Sequence, residues 1–296
     1  MSLHWKLIAA VSLFSLMMAA PVRASLVISS RPTQGVECAS GVCTATERNA
    51  VLNVTDLTSF LAESGLSVES GRLAKNIVVA ARLRLASTNM LTLYAARSIL
   101  VDSPVYFDAL GGLSLKFSAN RDNGDLQFRS NGQVTFGNTS APLTINGKRY
   151  VLVDNLAALK DGINSNLSGY FALANDYDAS ADGVYSSSPI PRFRGTLEGL
   201  GHKLSNLSIN DQTRGAAVGL IGVQADGFVR DIALANVDIV GGVAGMGGAI
   251  TGKNEGTIVN SFASGTVTLL KSAYAGGLVG LNFNTVDNCH ADVLTT

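Results

Sequence analysis

Two stretches near the end of the chain repeat each other. Residues 249–262 read AITGKNEGTIVNSF, and residues 277–290 read GLVGLNFNTVDNCH, which align without a gap at an offset of 28. A repeat of 25 to 30 residues is typical of a solenoid, in which each turn of the chain stacks on the turn before it. Four pairs of positions are identical and two more are both aliphatic: Gly252/Gly280, Asn254/Asn282, Thr257/Thr285, Asn260/Asn288, Ile250/Leu278 and Ile258/Val286.

Weaker copies precede this pair. Residues 219–232 form a degenerate copy, and we predict that residues 204–209 match residues 229–234 at an offset of 25. Glycine and asparagine fit the corners of such turns because they tolerate a left-handed backbone. Asn260 and Asn288 occupy equivalent corners, so they form either a hydrogen-bonded asparagine ladder or two independent turn residues.

Short alternating apolar bursts fill the region further upstream. Leu91 and Leu113 begin two such bursts, and their separation is about one turn of a solenoid. Two helices interrupt this pattern. The first is predicted to begin at an N-cap on Thr55 or Asp56, to run through Ala62 and to end at Gly65. The second spans about residues 155–166 after a cap at Asp154, with apolar residues at helical spacing: Leu156, Leu159, Ile163 and Leu167.

The overall composition excludes two classes of protein. Of the 296 residues, 47% are hydrophobic and 15% are charged, with 22 basic and 22 acidic side chains. A disordered chain carries more charge, and a nucleic-acid-binding protein carries a basic excess. We therefore expect a folded protein that does not bind nucleic acid.

Residues 1–24 are predicted to be a cleaved signal peptide. A polar start is followed by the apolar run Leu7–Ala20, by Pro21, and by a cleavage site after Ala24. An uncleaved membrane anchor is the alternative, but the run is short for a membrane span. The mature chain is thus expected to be secreted or exposed at the cell surface.

Export would place the three cysteines of the chain in an oxidising compartment. In an oxidising compartment, the segment Cys38-Ala-Ser-Gly-Val-Cys43 is expected to close a local disulfide. Cys289 has no evident partner. We interpret it as a buried, unreactive thiol rather than as a site of intermolecular pairing.

Catalytic and metal-binding motifs are weak. Residues 247–253 match the start of a phosphate-binding loop, but Asn254 stands where a Ser or Thr hydroxyl is needed. Asp176, Asp178 and Asp182 are close in sequence, which favours a solvated turn and leaves a calcium site open. No His-Glu-x-x-His motif occurs. We assign no catalytic, cofactor or metal residues and no cofactor. Acids that an enzyme of carbohydrate chemistry could use are scattered: Asp161, Asp176, Asp178, Glu198, Asp226 and Asp231.

Several of these segments resemble a known family. Two segments resemble the two halves of the GLUG repeat of bacterial surface proteins. The first is residues 276–282 together with the later pair Asn288-Cys289, and the second is residues 256–267. Residues 170–180 and 193–202 look like the region that precedes such repeats in filamentous-haemagglutinin-like adhesins, and residues 91–117 are similar to their shaft. The resemblance implies an all-β, right-handed parallel β-helix (solenoid), here with two short helices. No Asn-Pro-Asn motif is present, which puts the family's two-partner export route in doubt.

These observations predict an adhesin-like structural or binding protein of a bacterial surface, or the N-terminal part of a longer one, and not an enzyme. Its expected partners are a glycan or protein receptor, the outer-membrane surface, and a second copy joined through an unpaired solenoid end. A β-helical polysaccharide lyase or hydrolase, or a non-catalytic repeat region of a larger secreted protein, is the alternative. We divide the chain into a signal peptide (1–24), a capping segment with a short helix (25–75), a β-helical shaft (76–150), a helix-containing connector (151–190) and GLUG-like repeats (191–296).

Overall fold

A computed structural model describes residues 24–118, 124–271 and 273–296. The predicted signal peptide therefore lies, apart from Ala24, outside the described residues. The described chain is all-β, with six sheets and mostly parallel strands. Within these ranges, no helix is long and apolar enough to cross a membrane.

We call the strands before residue 146 the N-terminal stack and those after residue 147 the C-terminal stack. One sheet of twelve strands runs through both. Its strands are, in spatial order, Val36–Ala39, Val42–Ala45, Leu66–Glu69, Leu91–Ala95, Leu113–Phe117, Leu143–Ile145, Lys148–Val153, Tyr170–Leu173, Thr196–Glu198, Phe228–Arg230, Thr257–Val259 and Thr285–Asp287.

The other sheets belong to one stack each. The N-terminal stack contains a five-stranded sheet (Leu126–Phe128, Ile99–Val101, Asn76–Val79, Ser25–Ser29, Asn49–Asn53) and a three-stranded sheet (Val134–Phe136, Val105–Phe107, Leu83–Leu85). The C-terminal stack contains sheets of four strands (Ile190–Phe193, Ile221–Gln224, Thr251–Asn254, Val279–Asn282), three strands (Ala217–Val218, Met246–Gly247, Tyr274–Ala275) and seven strands (Tyr177–Asp178, Lys203–Ser205, Ala233–Gly241, Ser208–Asp211, Val184–Tyr185, Phe262–Leu269, His290–Thr295).

The pairing registers test the predicted repeats. Leu91 pairs in parallel with Leu113, so these two apolar bursts are neighbouring strands in register, as their separation predicts. Thr257 pairs with Thr285, which confirms the alignment of the two C-terminal stretches. The predicted match between residues 204–209 and 229–234 is wrong, because Leu204 pairs with Leu234 and not with Val229. Both segments contain alternating aliphatic residues, so a slipped alignment still matches apolar to apolar.

A single hairpin joins the two stacks. Leu143–Ile145 pairs antiparallel with Lys148–Val153, across Asn146 and Gly147, whose φ angles are +47° and +76°. Two successive left-handed residues are what the type I′ two-residue hairpin turn requires. Because all later strands of the large sheet are parallel to the second arm, strand direction reverses at this hairpin and is then kept.

The two hydrophobic cores lie on opposite faces of the large sheet. In the strand after the hairpin, Tyr150 and Leu152 belong to the N-terminal core, whereas Val153 belongs to the C-terminal core. In the next strand, Ala172 belongs to the first core, and Phe171 and Leu173 belong to the second. Alternation along a strand sends neighbouring side chains to opposite faces, so one sheet serves both cores.

Three α-helices occur in the described residues, one more than expected: α1 (Val54–Glu63), α2 (Gly71–Ala74) and α3 (Leu156–Ser165). A 3₁₀ turn at Ala179–Asp182 is also present. The predicted N-caps are wrong, by two or three positions for α1 and by one position for α3. Asn53 caps α1 and Asn155 caps α3, each through a side chain that accepts a backbone N–H.

The apolar faces of the helices fit the predicted pattern in part. Leu57 and Leu61 of α1 are buried in the N-terminal core. Leu156, Leu159 and Ile163 of α3 are buried in the C-terminal core, whereas Leu167 lies beyond the helix and is 43% exposed.

The sequence predicts residues 25–75 to be a capping segment. Their strands pair with later strands of the N-terminal stack, and their apolar side chains belong to the same core. Leu26 pairs in parallel with Ile77, and Leu66 pairs with Leu91. The two cysteines expected to pair, Cys38 and Cys43, lie opposite each other in neighbouring antiparallel strands and form a disulfide.

Candidate functional site at the junction of the two stacks

The last strands of the N-terminal stack pack against the outer face of the large sheet in the C-terminal stack. The backbone N–H of Val134 donates to the carbonyl of Leu200 at 3.0 Å, and that of Phe136 donates to the carbonyl of Ala174 at 2.8 Å. Ala174 and Leu200 accordingly belong to the N-terminal core, although they lie within the C-terminal stack. The second stack therefore covers the end of the first.

Side chains on this outer face are placed by strand alternation. Leu197 and Val229 point into the C-terminal core, so their neighbours Glu198 and Arg230 point towards the N-terminal stack. Glu198 and Arg230 are also paired in register on adjacent strands. Opposite charges at such positions attract each other.

These two residues form a charged cluster with Asp231 and Asp125, which we call the junction cluster. Arg230 Nε lies 2.8 Å from Asp231 Oδ2 and 3.2 Å from Glu198 Oε2. Its Nη2 lies 2.8 Å from Asp125 Oδ1 and donates to the carbonyl of Leu126 at 2.9 Å. One guanidinium thus joins carboxylates from both stacks, and its planar fork suits several acceptors at once.

Burial changes the acidity of the cluster. Loss of water raises the pKa of Glu198 well above its usual range, and the neighbouring charge of Asp231 raises it further. Burial also raises the pKa of Asp231 to about 6, against the opposing effect of Arg230. Three carboxyl groups share one cation, so the cluster takes up protons in mildly acidic solution.

A buried histidine forms a second link between the stacks. His202 is 1% exposed, with Nδ1 3.0 Å from Asp176 Oδ1 and Nε2 2.8 Å from the carbonyl oxygen of Val134. Both ring nitrogens therefore have a partner, one in each stack. The hydrogen bond with His202 lowers the pKa of Asp176.

Of the two alternatives for Asn260 and Asn288, the structure shows the asparagine ladder. Asn288 Nδ2 donates to Asn260 Oδ1 at 2.7 Å, which excludes two independent turn residues. Asn260 Nδ2 in turn lies 3.4 Å from Asp125 Oδ2. Asp231, Asn260 and Asn288 have φ angles of +54°, +51° and +48°, so they are equivalent left-handed corners of successive layers.

An open groove of 380 Å³ lies between this ladder and the N-terminal stack. We call it the junction groove. Phe262 and His290, which pair in register as the sequence alignment predicts, stack with ring centroids 5.7 Å apart and planes 12° apart. The lining residues are Gln127, Phe128, Arg129, Asp231, Asn260, Ser261, Phe262, Asn288 and His290.

The aspartates considered for calcium do not converge. Asp176 contacts His202, Asp178 accepts from Ser180 N and Asn206 Nδ2, and Asp182 accepts from two tyrosine hydroxyls. No group of three or more metal-ligating side chains occurs in the part of the chain that the structure describes. Of the six scattered acids, the junction cluster contains Glu198 and Asp231.

The segment that resembles a phosphate-binding loop forms strands. Met246–Gly247 and Thr251–Asn254 belong to two sheets of the C-terminal stack, and the next element is a strand rather than a helix. Lys253 Nζ contacts Glu255 Oε1 at 2.6 Å. This backbone does not provide the helix N-terminus that holds a phosphate.

Sequence patterns gave no indication of Asp125, Gln127 or Arg230 as site residues. Asp125 is 105 residues from Arg230 and 135 from Asn260. A further ladder at Asn254 and Asn282, where Asn254 Nδ2 donates to Asn282 Oδ1 at 2.7 Å, could have been inferred from their identity in the repeat.

Comparison with known proteins gives one partial similarity. A segment of Halomucin from Haloquadratum walsbyi is 34% identical over 142 residues, which cover 44% of this chain and 2% of Halomucin. The chain therefore matches a small fraction of that protein's length. No protein-family model and no solved structure match the chain.

Proposed function

We propose that the protein is a secreted or surface-exposed structural and binding protein, adhesin-like in action, and that each of its stacks is a right-handed parallel β-helix. The observation that carries this proposal is the succession of parallel registers, from Leu66 through Leu143 and from Val151 through Thr285, in one continuous sheet. The GLUG-like residues support the same class, and the partial similarity to Halomucin supports secretion or surface exposure alone.

The proposed action is passive. Stacked parallel strands make a stiff body whose faces present many side chains at regular spacing, as solenoid proteins do for extended partners. The two stacks are held together by the junction cluster and by His202. The partner is a surface glycan or a protein receptor, without nucleic acid.

The test uses the purified exported chain. We expect labelled protein to bind immobilised glycans or receptor-bearing surfaces saturably and to leave polysaccharides intact. Absence of binding to every glycan and surface tested would contradict the proposal. The release of new reducing or unsaturated ends would also contradict it.

A polysaccharide-active enzyme is the second candidate, because Asp231 lines the junction groove and has a pKa raised to about 6. A carboxyl group with such a pKa suits acid-base catalysis. Its neighbour Glu198 is 1% exposed, however, and a catalytic group must reach the substrate. Turnover that is lost in Asp231→Asn would favour this candidate over passive binding.

A further inference from the structure

We propose that the junction groove binds a neutral oligosaccharide. This inference rests on the proposed binding function and names the ligand class and the place where the ligand is held. The groove is formed by both stacks: residues 127–129 provide one side, and the corner residues of the C-terminal stack provide the other.

Polar groups that lack a protein partner line this groove. The side-chain amide of Gln127, the Oδ1 atom of Asn288 and the ring nitrogens of His290 make no hydrogen bond to any residue that the structure describes. Sugar hydroxyls both donate and accept, and amide and imidazole groups offer both functions. The ladder holds Asn288 in place, because its Nδ2 is bound to Asn260.

Aromatic surface lies beside these polar groups. Phe262 and His290 form a stacked pair, and Phe128 lines the same groove. Ligand sites combine apolar or aromatic lining with a few convergent polar groups. A pyranose ring, with hydroxyls around its edge and C–H groups on its faces, matches this combination.

The charges favour a neutral sugar over an anionic one. Arg129, the cation that lines the groove, is bound through Nε and Nη2 to Asp102 at 2.8 and 2.9 Å. Arg230, beneath the groove, is bound to carboxylates of the junction cluster. A uronate or sulfate group in the groove would therefore lie near the carboxylate of Asp231, and no unpaired cation among the lining residues would offset their repulsion.

The test is a titration of the purified protein with neutral oligosaccharides, and with sulfated and uronate-containing ones, by calorimetry. The variants are Gln127→Ala and the double variant Gln127→Ala/Asn288→Ala. We expect neutral ligands to bind and the double variant to lose about tenfold or more in affinity, since each lost hydrogen bond costs about two- to tenfold.

Asn236→Ala is the matched control. Asn236 is also a left-handed corner (φ +56°), and its Nδ2 donates to Asn206 Oδ1 at 2.7 Å, but it lies outside the groove. The control therefore loses the same kind of ladder bond and is expected to keep its affinity. Gln127→Ala breaks no bond within the described residues, so its result stands even if the double variant does not fold.

The outcomes separate the two proposals. Loss of affinity in the groove variants, with binding retained in the control, supports the groove. Neutral ligands that bind all variants equally, or binding restricted to anionic glycans or to proteins, would overturn the groove and leave the binding function standing. Binding to no glycan and no surface would overturn both.

Discussion

The N-terminal and C-terminal stacks pair their strands in the same way, but they differ in the residues that form the corners between strands. In the described part of the N-terminal stack, three non-glycine residues have a left-handed φ, and they do not align with one another: Ser40, Lys75 and Ser130. In the described part of the C-terminal stack there are eight, and several recur at equivalent corners: Leu200, Asn206, Asp226, Asp231, Asn236, Ala244, Asn260 and Asn288.

Layer length varies in both stacks. In the N-terminal stack, Leu113 pairs with Leu91 on one side and with Leu143 on the other, so the layer before Leu113 is shorter than the layer after it. In the C-terminal stack, Leu197 pairs with Phe171 and with Val229, which lie at unequal distances along the chain. The two layers around Thr257, next to the ladder of Asn260 and Asn288, are almost equal in length, because Thr257 pairs with Phe228 and with Thr285. Asparagine ladders require equivalent corners and so favour a constant length, whereas an apolar interior accepts loops of different length.

The largest expected effect is at the junction, where the two stacks depend on each other. Arg230→Leu leaves Glu198 and Asp231 buried without a cation, so we expect a loss of about 3 to 5 kcal/mol in the free energy of unfolding. Urea denaturation measures this loss. The matched control is Arg84→Leu, because Arg84 pairs with Asp108 on the surface of the N-terminal stack and is 71% exposed.

A loss of the same size in both variants would show that the buried charges of the junction contribute no more to the free energy of unfolding than a surface ion pair does. The triple variant Arg230→Leu/Glu198→Leu/Asp231→Asn is expected to recover most of the loss, since it leaves no uncompensated buried charge at Glu198 or Asp231.

The second effect is a pH dependence that arises at the junction. The pKa values of Glu198 and Asp231 are raised in the folded state, so folding takes up protons. The stability that Asp231 provides in this way is fully present below about pH 4 and is lost as pH rises through about 6, by an amount on the order of 3 kcal/mol. Asp176 acts in the opposite sense, because its lowered pKa gives stability that is lost below about pH 4.

Glu198→Gln/Asp231→Asn tests this prediction by denaturation at pH 4, 5, 6 and 7. The fall in stability between pH 4 and 6 is expected to disappear in the double variant. An unchanged slope would place its origin elsewhere in the molecule.

The smallest effect concerns the corners themselves. Asn236→Gly keeps the left-handed corner but removes a ladder bond, so we expect a loss of about 0.5 to 1.5 kcal/mol in stability. Ser130→Gly is the counterpart in the N-terminal stack, where the φ is +56° and the side chain makes no hydrogen bond within the described residues. It is expected to change thermal stability little. Equal effects would contradict a stabilising role for the ladders.

The comparison also explains which features can be predicted from sequence. The alignment of the two C-terminal stretches and the pairing of Leu91 with Leu113 follow from local patterns. The equivalence of Asn260 and Asn288 follows as well, but their hydrogen bond does not, because two independent turn residues fit the same pattern. The reversal at Asn146-Gly147 also has a local signal, because Asn-Gly between alternating apolar residues favours a hairpin. The prediction of one continuous parallel solenoid does not use that signal, because glycine-containing turns also occur at many solenoid corners.

The junction could not have been predicted in this way. Whether Glu198 faces solvent or a second stack depends on the reversal of the large sheet at the hairpin. Its partners Arg230 and Asp125 are brought together by tertiary packing over 105 residues of chain. The predicted N-caps miss Asn53 and Asn155 because neighbouring Thr and Asp residues cap helices comparably well.

Residue-resolved amide hydrogen exchange at Val134 and Phe136 tests the central claim, that the C-terminal stack covers the end of the N-terminal stack. These two N–H groups donate to Leu200 and Ala174 across the junction, whereas that of Val105 donates to Gln133 within the N-terminal stack. We expect all three amides to exchange slowly and to a similar degree. Fast exchange at Val134 and Phe136, with Val105 still protected, would show instead that the end of the N-terminal stack is uncovered.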